Sequence, residues 1–145
     1  MTSHDEENIV TQMTQDSSTL TGCDHCWPAS AEDAWHARRD LRELARWVDE
    51  SHFNMRGLQC VHCSRKFISV FTESIDWING DDGQSWTTAP VTADEFARVE
   101  ALVLSSIEAA LCAVPAQRRS LRREYPTGGD ARVSWTRGIA VGGHD

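Results

Sequence analysis

Long apolar stretches are missing from this 145-residue chain. The longest uninterrupted run, Ala109 to Val114, falls far short of the roughly 20 residues a membrane-spanning helix needs, so no membrane partner is expected. No charged-then-apolar leader opens the chain, and the expected compartment is the cytoplasm. Positive charge is scarce at the start: Met1 to Ala37 carries seven acidic residues and no Lys or Arg, within a net charge of −8. That balance argues against broad binding to phosphate backbones, which is driven by counterion release onto a positive surface. Catalytic signatures are absent as well. There is no His-Glu-x-x-His, no phosphate-binding glycine loop, no Gly-x-Ser-x-Gly turn and no zinc-deaminase signature. No enzyme is expected.

What the chain does have is two Cys-x-x-Cys clips, Cys23/Cys26 and Cys60/Cys63. A two-residue spacer lets both sulfurs of a clip turn toward one ion, and two clips supply the four soft ligands of a structural Zn²⁺ site. A thioredoxin-like dithiol needs a βαβ setting, and no such alternation surrounds either clip. Haem attachment needs His directly after the second cysteine, where Trp27 and Ser64 stand. Disulfides require an oxidising compartment. Iron held as in rubredoxins stays open, although the glycine those clips carry after the second cysteine is missing here. His25 and His62, inside the clips, are alternative ligands. Four thiolates close the coordination sphere and leave little Lewis acidity, which points to a structural ion.

The spacing of the remaining residues predicts one domain over residues 22–145, after a flexible acidic leader over residues 1–21 with a short ordered stretch at Ile9 to Met13. Ser30 offers an N-cap, and Ala34, Ala37, Leu41, Leu44, Ala45 and Val48 recur at helical spacing, predicting a helix from Ala31 to about Ser51. Arg65 to Trp77 reads as a strand with apolar residues at both parities, hence buried on two faces or bulged. Asn79-Gly80 marks a tight turn, with Trp86 to Val91 returning as the partner strand. Thr92-x-x-Glu95 is a capping box for a second helix reaching about Val114, with Glu100 as a boundary carboxylate paired to an Arg. Arg118, Arg119, Arg122 and Arg123 fall in a short helix, and Val133 to Ile139 forms a third strand. The fold class is α+β: a small antiparallel sheet with two main helices and a zinc-ribbon-like metal site.

Residues 23 to 91, with paired clips and a hairpin after the second, resemble a zinc-ribbon-type module, a class common in nucleic-acid machinery and protein scaffolds. The helix between the clips departs from it. Trp35, Trp77 and Trp135 are expected in the core, while Trp27, Trp47 and Trp86 sit at edges as candidate interface anchors. Cys112 reads as a spare thiol, and Asp76, Asp81 and Asp82 as a solvated tip whose spacing does not fit an EF-hand. The expected function is non-enzymatic: a zinc-binding protein that binds another protein, a basic one by charge, as an inhibitor, an immunity or antitoxin-like protein or an adaptor. The candidate contacts are Trp47, Trp86 and the four arginines Arg118 to Arg123. The alternative is a nucleic-acid-binding regulator using those arginines.

Overall fold

The structure, a computed structural model, describes residues 19–126 and 128–139. The stretch Ile9 to Met13 and the glycine-rich end with His144 lie outside the described residues. Leu20, which the sequence reading places within the leader, is buried. Six strands form one antiparallel sheet in the order of the chain: β1 (Arg42–Glu50), β2 (Phe53–Gln59), β3 (Lys66–Ser74), β4 (Gly83–Val91), β5 (Arg119–Tyr125) and β6 (Arg132–Arg137). A short helix α1 (Ala31–Ala37) precedes them, and α2 (Ala93–Val103) and α3 (Ile107–Cys112) lie between β4 and β5. The class is α+β, but the sheet is twice the expected size. None of these helices is long and apolar enough to cross a membrane.

The largest correction concerns residues 38–59. The helix from Ala31 stops at Ala37, a 3₁₀ turn covers Arg38–Asp40, and the rest of the expected helix is β1. Strand β1 has register shifts at Glu43/Ala45 and Arg46/Val48, so Leu44 and Trp47 are extra residues. Each extra residue stretches the same-face spacing from two to three. Glu43, Arg46 and Asp49 therefore share one face, opposite Leu58, Arg56 and Asn54, and Arg46 bridges both carboxylates at 3.1 and 3.3 Å. A doubly bulged strand thus imitates the period of a helix.

The sheet buries both faces. On one, Phe53, Met55, Ile68, Val70, Ala89 and Val91 meet Phe96 and Val99 of α2 and Ala110 of α3. Gly57 is required there: a Cβ at this position would lie 2.5 Å from the Phe96 ring. On the other face Leu58, Phe67 and Leu121 pack against Trp27, Ala34, Cys26 and Cys60. Strand β3 serves both layers, which is why its apolar residues occupy both parities. The expected second helix is broken at Leu104 to Ser106, because Ser106 caps α3 by accepting from the Ala109 N–H at 3.1 Å. Trp77, expected inside, is 85% exposed.

The capping box at the start of α2 also fastens β5. Thr92 Oγ1 accepts from the Glu95 N–H, and Glu95 Oε1 accepts from the Thr92 N–H at 2.8 Å. Arg118, 1% exposed, donates to both Glu95 oxygens at 2.8 Å and to the Pro90 carbonyl at 2.7 Å. Burial alone would raise the Glu95 carboxyl, but the Arg118 guanidinium and the Thr92 N–H outweigh it and leave it below its ordinary value. Stability from this pair is therefore present above the ordinary carboxylate range and lost as pH falls through the lowered value. Glu95→Gln strands a buried guanidinium and should cost about 3 kcal/mol at neutral pH in denaturant melts. The difference between variant and parent should shrink on acidification; a constant difference would contradict the assignment.

Candidate metal centre

The two clips are built alike. In the first, the Trp27 N–H donates to the Cys23 carbonyl at 2.8 Å; in the second, the Ser64 N–H donates to the Cys60 carbonyl at 3.0 Å. The second clip is the turn between β2 and β3, closed by the Cys60 N–H to the Arg65 carbonyl at 2.9 Å. The first clip is a free turn before α1, and Arg65 holds it in place: its Nε donates to the Thr21 carbonyl at 2.8 Å. The chain passes so close to the cluster at Gly22 that a Cβ there would lie 2.2 Å from Cys26 Sγ.

Together the clips gather Cys23, Cys26, Cys60 and Cys63, whose Sγ atoms all lie within 4.8 Å of one another and can hold a metal ion. Cys23 Sγ is 3.8 Å from both Cys26 Sγ and Cys60 Sγ, and Cys26 Sγ is 3.7 Å from Cys63 Sγ. Tetrahedral coordination with metal–sulfur bonds of about 2.3 Å implies sulfur–sulfur edges of about 3.8 Å, so the donor set fits such an ion. These separations also overturn the disulfide reading, which needs about 2.05 Å; all five cysteines are free. The histidines do not join the cluster: His25 and His62 stack on each other, ring centroids 4.2 Å apart. Cys112 is exposed and outside the cluster.

The cluster has a sealed side and an open one. Cys26 and Cys60 are buried against Trp27, Leu58 and Phe67, while Cys63 is exposed. The Cys26 N–H lowers the Cys23 thiol to about 6, whereas burial pushes the Cys26 thiol well up. A bound cation offsets that burial cost by supplying charge where the buried sulfur must become a thiolate. Ser64, just after Cys63, has φ 67°, the left-handed region where glycine is favoured. The second clip therefore adopts the glycine conformation without the glycine.

The sequence expectations for partner contacts scatter on this frame. The four arginines are not in a helix: Arg118 precedes β5, whose alternation turns Arg119 and Arg123 to one face and Arg122 to the other. Arg118 is enclosed with Glu95, Arg122 Nε lies 2.6 Å from Glu124, Arg119 covers the Trp135 ring at 4.1 Å, and Arg123 lies over Trp35 and Trp86. Trp47 packs on Phe96 and donates to Glu100 at 3.4 Å, so that carboxylate's partner is an indole and not an arginine. Trp86 rests on Phe71 and Trp35, and Trp27 is buried. What the sequence reading missed is the tip of the β3–β4 hairpin. Trp77 and Ile78 are 85% and 91% exposed there, beside Asp76, Asp81 and Asp82. The Trp-Ile pair between Asp76 and Asn79-Gly80 was the available signal. No family model, no curated protein and no solved structure matches the chain.

Two substitutions test the centre. Cys60→Ala should leave an incompletely held ion and lower the melting temperature clearly, since metal binding in small fingers is worth about 10–16 kcal/mol and the larger core here softens the loss. Equal melting of variant and parent would contradict a structural ion. Ser64→Gly should stabilise the metal-loaded protein by about 1 kcal/mol in denaturant melts, by relieving the left-handed backbone.

Proposed function

We propose that this chain is a Zn²⁺-stapled, non-enzymatic binding protein that acts by docking the β3–β4 tip onto another protein. The observation that carries this reading is the presentation of Trp77 and Ile78. Both are nearly fully exposed, yet the loop beneath them is tied down. Asp76 Oδ1 accepts from the Ile78 and Asn79 N–H groups at 3.0 Å, and Asp82 Oδ1 accepts from the Asp76 N–H at 2.8 Å. Asp81 accepts from the Gly128 N–H of the β5–β6 loop. A rigid aromatic anchor loses little conformational entropy on binding, the property of interface hot spots. The Asn79 N–H holds the Asp76 carboxyl below its ordinary value, so the tip is anionic near neutral pH. The matching partner is a basic surface with an apolar pocket.

The metal belongs to this reading as a staple. Four cysteine ligands fill a tetrahedral ion's sphere and leave no open position for substrate, which supports a structural Zn²⁺ in a zinc-ribbon-like setting. Metal analysis of the purified protein should find zinc; iron would remove that part of the proposal.

The docking reading is tested with the zinc-loaded chain as bait in native extract. The parent should retain a basic protein that the double variant Trp77→Ala, Ile78→Ala loses. Melting should change by no more than about 0.5 kcal/mol, because these side chains pack on little. Identical capture by parent and variant would sink the tip as the contact.

A further inference from the structure

The four sulfurs of the cluster differ in how easily a solute reaches them. Cys26 and Cys60 are buried, Cys23 is half-buried and Cys63 is exposed. Cys60 Sγ also accepts from the His62 N–H at 3.3 Å, which engages it within its own clip. Cys63 is therefore the sulfur that a small molecule from solvent meets first. The sulfur 3.7 Å from it, Cys26 Sγ, belongs to the other clip. An accessible thiolate poised beside a second sulfur is the arrangement of oxidation-sensing cysteines. A bound metal ion keeps both sulfurs as thiolates, the nucleophilic form.

We propose that Cys63 and Cys26 form a peroxide-sensitive pair that exchanges the metal ion for a disulfide between the clips. The Cys63 thiolate attacks one oxygen of hydrogen peroxide: an S–O bond forms, the O–O bond breaks and hydroxide leaves. The Cys26 thiolate then attacks the sulfenic sulfur, forming the S–S bond as the S–O bond breaks and a second hydroxide leaves. In all, the two thiolates give up two electrons and one peroxide is reduced. The sulfurs close from 3.7 Å to about 2.05 Å, and the ion, left with two of its four ligands, departs.

This outcome differs physically from simple metal loss. Both remove the ion, but a Cys26–Cys63 bond still joins the first clip to the turn between β2 and β3. It thereby retains the arginine-bearing face beyond the first clip, where Arg38 donates to Ser69 Oγ at 2.8 Å and to Thr88 Oγ1 at 3.2 Å. A link between residues 37 apart also restricts the unfolded chain. Disulfides within each clip would leave the clips unconnected and restrict little.

The test treats the zinc-loaded full chain with hydrogen peroxide, reads released metal with a chromogenic chelator and maps disulfides by peptide mass spectrometry. Metal release should run in step with the loss of two thiols. The mapped bond should be Cys26–Cys63, and dithiothreitol with added zinc should reverse both changes. Oxidised protein should melt several degrees above reduced protein stripped by a chelator. Cys63→Ser should slow disulfide formation by about tenfold or more. Cys112→Ser, which removes the exposed thiol outside the cluster, should change neither the rate nor the map. Intact thiols after peroxide, bonds confined within the clips, equal melting of oxidised and stripped protein, or release abolished by Cys112→Ser would each overturn the proposal. The inference rests on the metal reading, yet the two fail separately. Protein purified without metal refutes the ion, while the disulfide map and the melting comparison still decide the pair.

Discussion

Four sulfurs from two turns, with Cys23 and Cys60 37 residues apart, make the contact on which the second face of the sheet depends. The two faces are closed by different means. One is covered by α2 and α3, which follow β4 directly, are capped at both starts and carry their own apolar stripe. The other is covered by a turn, Trp27, the seven-residue α1 and a 3₁₀ turn. A helix of seven residues is not stable alone. The Trp27–Trp135 and Trp27–Phe67 ring contacts and the Trp135 Nε1 bond to the Ala29 carbonyl help hold that cover. They cannot form until the first clip is in register with the second. An ion gripped by both clips would fix that register before the weaker contacts are counted.

How much of this was legible depended on whether a residue's role was local. The capping box, the Asn79-Gly80 turn and the cysteine spacing each act within a few residues, and each is where the sequence put it. The two-faced burial of β3 was visible as apolar residues at both parities. Strand β1 was not legible, because Leu44 and Trp47 are extra residues whose only cause is pairing with β2, and β2 has no strong turn before it. Once β1 was read as helix, the alternation of Phe53, Met55 and Gly57 against Asn54 and Arg56 had no neighbour to pair with. The arginines at Arg118 to Arg123 failed for a related reason: Arg118 and Arg122, like Arg119 and Arg123, lie four apart, a spacing that suits one face of a helix as well as one face of a strand. At the candidate metal centre the four cysteines were plain from their spacing, but Gly22 and Ser64 took their meaning from a close approach and a left-handed backbone that only the folded turns impose.

Strand β3 connects everything proposed here. It leaves the second clip at Lys66 and ends at Ser74, just before the tip, with Ser69 and Phe71 midway on the arginine-bearing face. Nine residues at about 3.3 Å each put the sulfur cluster and Trp77 roughly 30 Å apart. At that distance an ion held by the four cysteines would not touch a partner docked on the tip. Its influence must be mechanical, through the sheet. Strand β3 pairs in unbroken register with β4 from Lys66 to Ser74 and with β2 from Lys66 to Thr72, so the tip is held by a ladder that does not itself need the metal. The layer containing α1 and Arg38 is entered through the first clip and so would depend on an ion held there. Losing the ion should therefore loosen the arginine face before it loosens the tip, and partial metal loss, followed by hydrogen exchange, would reveal that order. Exchange that quickened first at the hairpin end of β3 and β4 would mean that the two faces share one cooperative unit, and that the staple supports the whole sheet and not just one side of it.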